Sequence, residues 1–282
     1  MKAWLRREGA PTLFLLTVAV LFFWKATLAG KVLLPVDNLY QFQPWASLAP
    51  AGFSGPHNPL ISDSILENYG WKRILVESIH QRHLPLWNPD ILGGTPFLAP
   101  GQASVLYPFV ALWLILPIAQ AYAWFAALHL FFAGLGAYAF LRVNGGSRRA
   151  GVVAGLAYMF SGRLVTSILW PQMIGAIVWL PLLLLLIELI VRQARERWPL
   201  LPALTGAAVL GISILAGHIE ASVYVMAAMG LYALARIVGE GVRRQASGVS
   251  LRASGRAVAC CAALVVLGAG LAAAQLLPFY EV

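Results

Sequence analysis

The chain has 282 residues, of which 60 % are hydrophobic and 11 % are charged, and its mean hydropathy is +0.76. A soluble globular domain carries about 25 % charged residues. So little charge cannot cover a water-facing surface, which excludes a soluble enzyme, a disordered tail and a secreted disulfide scaffold. Because helices satisfy their backbone polar groups within lipid, the composition predicts an all-α integral membrane protein.

The net charge of +9 does not indicate nucleic acid as a partner. The basic residues lie between apolar runs, whereas a nucleic-acid binder needs a soluble basic face. Cys260 and Cys261 are adjacent within an apolar run, so they suit neither a disulfide framework nor a zinc site. We therefore expect membrane lipids around the chain and no nucleic acid.

Apolar runs of about 20 residues predict seven transmembrane helices within one module, residues 1–282. The runs are 11–29, 119–141, 149–168, 173–192, 199–217, 219–238 and 257–278. A cleaved signal peptide is the alternative interpretation of the first run, because Thr27-Leu28-Ala29 resembles a cleavage site. The sequence stops just after the last run, and we expect it to be a fragment of a longer protein.

A more polar stretch, residues 30–118, follows the first run. Residues 61–82 have one apolar side, which is typical of a helix lying on the membrane surface. The run at 104–118 would be about 22 Å long as a helix, too short for a hydrocarbon core of about 30 Å. We predict a long extracytoplasmic loop with juxtamembrane helices.

The distribution of charge predicts the orientation. A cytoplasmic N-terminus places 14 of the 20 basic residues on the inner side, in the segments 2–7, 142–149, 192–197 and 236–256. The outer side then holds seven of the 11 acidic residues. No P-loop, HExxH, CxxC or GxSxG motif is present in the sequence, which argues against ATP-driven transport by this chain alone and against a zinc peptidase.

Acidic residues of the loop are the first candidates for chemistry. Asp37 follows the first run between apolar and aromatic neighbours, and carboxylates near lipid are typically functional. Partial desolvation there predicts a raised pKa, which suits a general base, although a solvated loop aspartate is the alternative. Asp63 and Glu67 share a helix face and could hold a divalent cation, but paired surface acids are more common.

Further candidates for a functional site are several basic residues and a turn on the predicted outer side. Arg163 follows a Ser-Gly pair within an apolar stretch, where it either snorkels to the interface or binds an anion. His218 and Glu220 lie at a tight turn on the predicted outer side, which is either an ordinary turn or part of a site. His129 is expected to be a hydrogen-bonded core residue. Three basic loop residues are candidates for phosphate, with a solvated face as the favoured alternative: Lys72, Arg73 and Arg82.

Residues 85–99 read Pro-Leu-Trp-Asn-Pro-Asp-Ile-Leu-Gly-Gly-Thr-Pro-Phe-Leu-Ala, and this stretch resembles the bacterial YfhO-type membrane proteins. Trp87, Asn88, Gly93 and Gly94 within it predict a fixed turn in which Asn88 bonds backbone groups. We expect Trp87 to pack against the membrane-facing helices. Weaker landmarks of the same resemblance are Asp37, Asp63, Ser161-Gly162, Gly217-His218 and Gln275-Leu-Leu-Pro278.

The YfhO-type family is similar to the GT-C superfamily of membrane glycosyltransferases. The resemblance implies a polytopic helical bundle in the bacterial plasma membrane that transfers a sugar from a polyprenyl-phosphate-linked donor to an extracytoplasmic acceptor. It maps the catalytic acid of the first outer loop onto Asp37 and a second loop acid onto Asp63. Relatives often have Pro-Gln after the Gly-His turn, where this chain has Ile219-Glu220.

In that reaction Asp37 would accept the proton of the acceptor hydroxyl in a single inverting displacement. The leaving phosphate needs cations, and the candidates that contact the substrate are Lys72, Arg73, Arg82, Arg163, His218 and Glu220. Two alternatives stay open: a transporter or flippase of a lipid-linked sugar, and a non-catalytic scaffold for cell-envelope assembly. Convergence of Asp37, Asp63 and His218 in one outer cavity favours the enzyme, and a continuous polar path across the helices favours transport.

Overall fold

The computed structural model describes residues 2–246 and 252–281, and it describes the side chains of these residues except 2–7 and 243–246. The described residues form thirteen α-helices and one two-stranded hairpin. The helices are α1 Lys2–Phe22, α2 Trp24–Thr27, α3 Tyr69–His80, α4 Ala111–Ile115, α5 Ile118–Val143, α6 Arg148–Met159, α7 Gly162–Thr166, α8 Pro171–Ile177, α9 Leu180–Gln193, α10 Leu200–Leu215, α11 Ile219–Ala246, α12 Arg252–Leu271 and α13 Ala273–Glu281. The strands are β1 Trp87–Asn88 and β2 Thr95–Pro96.

Within the described ranges, four helices are long and apolar enough to cross a membrane. They are Ile118–Val143, Pro171–Gln193 (α8 and α9 taken together), Ile219–Val242 and Arg252–Leu271. Two further apolar helices are shorter, Glu8–Phe22 and Leu200–Leu215. The chain thus has the all-helical architecture that the composition predicts, with four helices of membrane-crossing length where the sequence predicts seven.

Five predicted segments are interrupted. The run 11–29 divides between α1 and α2, and the run 173–192 divides between α8 and α9. The run 149–168 is not one helix, because Ser161 adopts an extended backbone between α6 and α7. The run 257–278 divides between α12 and α13. The predicted helix at 104–118 is reduced to the 3-10 turn Pro108–Val110 and the five residues of α4. It ends there because Pro117 favours the extended conformation that Leu116 adopts.

Buried acids and arginines join five helices at one end of the bundle. We call this the ion-pair end and define it by Glu8, Glu188 and Glu240, which are nearly inaccessible to solvent. The pairs are Arg142–Glu8 at 3.0 Å, Arg148–Glu8 at 3.6 Å, Arg192–Glu188 at 2.6 Å, Arg236–Glu188 at 2.6 Å and Arg195–Glu240 at 2.8 Å. Segments predicted to lie on one side of the membrane therefore meet at one end of the bundle. The basic side chains at 2–7, Arg243 and Arg244 lie outside the described side chains.

The opposite end, the loop end, carries residues 30–117, the connection from α6 to α8 and the turn at Gly217. Ser104 Oγ donates a hydrogen bond to the Ala216 carbonyl oxygen at 2.7 Å, and Gln275 Nε2 donates to the Leu98 carbonyl oxygen at 2.7 Å. A Cβ at Gly217 would collide with the Gly101 carbonyl oxygen. The last part of the loop is thereby fastened to the ends of α10 and α13.

His129 occupies the bundle core near the loop end, fully buried. Its Nδ1 lies 2.7 Å from the Phe125 carbonyl oxygen and must donate a hydrogen bond to it. Nε2 therefore accepts a hydrogen bond from the Tyr107 hydroxyl, whose oxygen lies 2.6 Å away. Trp179 Nε1 donates to the same hydroxyl at 3.3 Å. The prediction of a hydrogen-bonded core histidine is confirmed.

Candidate functional site

Asp37 lies in the 3-10 helix Val36–Gln41 of the loop and is half-buried. Its Oδ2 accepts two hydrogen bonds from His57, one from the backbone N at 2.7 Å and one from Nδ1 at 2.9 Å. These bonds hold the pKa of Asp37 below its ordinary value and outweigh the effect of burial. The prediction of a raised pKa is wrong, because it considered the apolar neighbours in sequence and not the partner 20 residues away.

Asp63 is exposed and precedes the π-helical turn Ser64–Asn68, which packs against the helix that carries Asp37. Glu67 is also exposed; partial burial and then the charge of Asp63 raise its pKa. Across residues 2–246 and 252–281 no group of three or more His, Cys, Asp and Glu side chains is arranged to hold a metal ion. The two loop aspartates are therefore brought into neighbouring elements, without a clustered cation site.

A cavity of about 520 Å³ opens at the loop end, and Asp37 itself is not among its lining residues. Asn58, the residue after His57, lines one wall, and Asn38 Nδ2 donates to its carbonyl oxygen at 3.2 Å. The remaining lining is mostly apolar: Leu60, Ile61, Val165, Thr166, Ser167, Ile168, Leu169, Trp170 and Met173, together with Arg163. The Asp37–His57 pair is thus linked to this cavity through the neighbouring residue Asn58, and the cavity lining contains one cation, Arg163.

Arg163 also lines a second cavity, of about 240 Å³, among the helices. Its other lining residues are Tyr158, Ser161, Leu164, Ile177, Leu180, Tyr224 and Val225. Arg163 is exposed, and no acidic side chain within the described part of the chain forms an ion pair with it. One unpaired guanidinium therefore stands between a cavity under the loop and a cavity between helices.

The three basic loop candidates lie away from both cavities. Lys72 is fully buried; its Nζ donates to the Ala103 carbonyl oxygen at 2.6 Å and lies 4.9 Å from the centre of the Trp113 ring. Burial lowers the pKa of Lys72 to about 7. The favoured prediction of a solvated face is wrong for Lys72, whereas Arg73 and Arg82 are exposed.

His218 and Glu220 form the turn into α11. His218 Nδ1 accepts the backbone N–H of Ala221 at 3.1 Å, so this imidazole caps the helix N-terminus. Glu220 is exposed and accepts the Tyr224 hydroxyl at 2.8 Å, at the edge of the second cavity. No hydrogen bond or ion pair in the described ranges joins His218 to Asp37 or Asp63. The two aspartates lie in neighbouring elements, but the expected convergence of all three residues in one cavity is not found among the described residues.

The motif at 85–99 folds as a hairpin, in which Trp87 pairs with Pro96. Asn88 Oδ1 accepts the backbone N–H of Asp90 at 3.0 Å, the backbone contact that the sequence predicts. Gly93 and Gly94 both have positive φ, and a Cβ on Gly94 would approach the Trp87 ring to 2.6 Å. Trp87 is 56 % exposed, so the prediction that it packs against the membrane-facing helices is wrong: it covers Gly94 instead.

His57 is the site residue that sequence reasoning misses. It lies between two prolines in an irregular stretch, so no periodicity assigns its direction. Comparisons of the chain with protein-family models, with curated proteins and with solved structures gave no match. The function is consequently inferred from the geometry around Asp37 and Arg163.

Proposed function

We propose that the chain is the catalytic module of a GT-C-like membrane glycosyltransferase, which transfers a sugar from a polyprenyl-phosphate-linked donor to an extracytoplasmic acceptor. The observation that carries this proposal is the position of Arg163 between two cavities. The smaller cavity, between helices, has the apolar walls that a prenyl chain requires. The larger one is lined by Asn58, next to the His57 that binds Asp37, and in this proposal it takes the sugar, so the donor phosphate would sit at Arg163.

Asp37 is the general base of the proposed reaction. Its lowered pKa keeps it ionised at neutral pH, and His57 occupies Oδ2, which leaves Oδ1 for the acceptor. Oδ1 takes the hydroxyl proton while the acceptor oxygen attacks the anomeric carbon. The bond from that carbon to the phosphate oxygen breaks, the anomeric configuration inverts, and Arg163 stabilises the leaving phosphate. Asp63, on the neighbouring turn, is the second acid of the loop.

The membrane arrangement is part of the proposal: seven passes, a cytoplasmic N-terminus and an extracytoplasmic loop. It is supported by the ion pairs, which gather the ends of α1, α5, α9 and α11 and the start of α6. α6 and α10 are 12 and 16 residues long, about 18 Å and about 24 Å, so passes formed by them require a locally thinned bilayer. The YfhO-type resemblance implies a polytopic helical bundle with an extracytoplasmic site, which agrees with this arrangement.

Buried polar groups favour an enzyme over a transporter of lipid-linked sugars. One cluster surrounds His129 near the loop end, and another surrounds Glu188 at the ion-pair end. No hydrogen bond among residues 2–246 and 252–281 connects these two clusters, whereas a transport path needs polar groups across the whole bundle. A scaffold for cell-envelope assembly would need neither cavity nor an unpaired arginine between them.

The test is a transfer assay with the full chain in lipid vesicles. Radiolabelled polyprenyl-phosphate sugars are offered with a cell-envelope extract as acceptor, and labelled product is measured for the wild type and Arg163→Gln. Loss of a charge-assisted hydrogen bond to the phosphate is expected to lower transfer at limiting donor about 10-fold to 100-fold. Arg197→Gln is the matched control, because this exposed arginine lies in the segment after α9 at the ion-pair end.

Two results would contradict the proposal. One is the absence of transfer from every polyprenyl-phosphate sugar by a folded wild-type protein. The other is an Arg163→Gln variant that matches the Arg197→Gln control in its dependence on donor concentration.

A further inference from the structure

A groove between α1 and α6 at the ion-pair end has no role in the reaction proposed above. Its volume is about 490 Å³, and it is lined by Ala10, Pro11, Phe14, Arg148, Arg149, Val152 and Val153. Phe14 is 47 % exposed and Val153 is 65 % exposed, so the groove opens outward from the bundle. This apolar surface, with arginines in its lining, is therefore accessible to molecules outside the helix bundle.

The charges at this groove are unevenly paired. Glu8 is bound by Arg142 at 3.0 Å, by the Tyr138 hydroxyl and by Arg148 at 3.6 Å. Arg149, the next residue, forms no ion pair with an acidic side chain of the described ranges. The Glu8 carboxylate is thus shared between Arg142 and Arg148. The groove therefore has a net positive charge, centred on Arg149.

The backbone adds to this positive potential. α6 begins at Arg148, and Ser147 Oγ accepts the N–H of Ala150 at 3.2 Å. The N–H groups of Arg148 and Arg149 precede the first intrahelical hydrogen bond, so they are free to donate to an anion. The helix dipole favours a negative group at the same place.

We propose that this groove binds an anionic phospholipid. The phosphate contacts Arg149 and the first turn of α6, and one acyl chain lies along Phe14 and Val153. A phospholipid accounts for the arginines and the apolar walls together, whereas a free phosphate would account only for the arginines. The inference rests on the membrane placement of the helices and not on the glycosyltransferase reaction, because the groove lies at the end of the bundle opposite Arg163.

The experiment measures lipid binding to the full chain, purified in detergent and stripped of lipid. Phosphatidylglycerol or phosphatidylcholine is titrated in, and bound lipid is counted by native mass spectrometry. The wild type is expected to prefer phosphatidylglycerol. Since a basic residue near an anionic lipid contributes about 1 kcal/mol, Arg149→Gln should reduce that preference about fivefold. Arg197→Gln, an exposed arginine at the same end, is the matched control and should keep it.

Two further measurements distinguish a phospholipid from a free phosphate as the ligand of the groove. Val153→Trp fills the groove and should lower binding of both lipids without removing a charge. Millimolar inorganic phosphate should not displace phosphatidylglycerol, because it lacks the acyl chain. Equal binding of the two lipids by the wild type, an unchanged preference in Arg149→Gln, or complete displacement by phosphate would each overturn the proposal. If Val153→Trp does not fold, the exposed Arg149 variant carries the test alone.

Discussion

The two ends of the bundle use their charges in different ways. At the ion-pair end, Glu8, Glu188 and Glu240 are 6 %, 0 % and 8 % exposed, and each is paired with arginine. At the loop end the acids are mostly exposed, and Arg163 stands unpaired between two cavities. Charges at the first end hold helices together, whereas Arg163 at the second remains available to a ligand. This difference is the reason for assigning the function to the loop end.

The largest expected effect concerns the sidedness of the two ends. In a protein whose Cys260 and Cys261 are replaced by alanine, Ala51→Cys should react with a membrane-impermeant maleimide in intact cells. Arg197→Cys should react only after the membrane is permeabilised, because a basic segment is retained on the cytoplasmic side. Equal labelling of the two positions in intact cells would contradict the assignment of the two ends to opposite sides of the membrane.

Removal of a paired acid should destabilise the bundle far more than removal of an exposed one. Glu188 binds Arg192, Arg236 and the Tyr232 hydroxyl, and breaking a buried ion pair from one side costs about 3 kcal/mol or more. Because the two arginines are partly exposed, we expect Glu188→Gln to lower the free energy of unfolding by about 2 kcal/mol. The control Glu220→Gln should change stability by less than about 0.5 kcal/mol. Reversible unfolding in mixed micelles measures both, and similar losses would contradict the comparison.

Lys72 should make the stability of the loop depend on pH. Its pKa falls from 10.5 to about 7 on burial, so between these values the unfolded loop binds a proton that the folded loop does not. Stability should therefore rise with pH above about 7, by at most about 1.4 kcal/mol per pH unit. Hydrogen exchange of residues 64–106, corrected for the intrinsic rate, measures this slope. Lys72→Met should abolish it and the exposed control Lys31→Met should not; a flat wild-type profile would refute the buried neutral amine.

The stability of the hairpin should depend on Gly94 and Asn88. Gly94→Ala combines a positive φ with a collision against Trp87 and should cost about 2 kcal/mol, seen as faster proteolysis of the loop. Gly52→Ala has a positive φ but open space around it, so it isolates the backbone strain and should cost about 1 kcal/mol. Asn88→Ala removes one hydrogen bond, also worth about 1 kcal/mol. An unchanged cleavage rate in all three would mean that the hairpin does not limit loop stability.

Sequence patterns predicted the parts of the molecule that depend on local periodicity and on the distribution of charge. The helices at 119–141 and 219–238 form, His129 is a bonded core residue, and the basic segments meet at one end. The helix predicted at 61–82 also forms, as a π-helical turn followed by α3. These features follow from hydrophobic spacing and from the distribution of charge. Both can be read from the sequence without knowing which segments pack together.

The site could be predicted only in part, because its contacts join distant positions through irregular backbone. Asp37 was identified by its place after the first run, but its partner His57 lies 20 residues further on. Lys72 was expected to be exposed or to bind phosphate, and no spacing rule shows that Ala103 would accept its hydrogen bond. The break at Ser161, which directs Arg163 into two cavities, has only a Ser-Gly pair as its signal.

The central claim is that Asp37 removes a proton at the loop end, and the turnover of Asp37→Asn tests it most directly. The substitution keeps the size of the side chain and removes the proton acceptor, so sugar transfer per folded molecule should fall about 10²-fold to 10⁴-fold with normal abundance and membrane insertion. Asp90→Asn, an exposed acid in the hairpin of the same loop, is the control and should retain wild-type turnover. A purified Asp37→Asn protein with the turnover of that control would contradict the account.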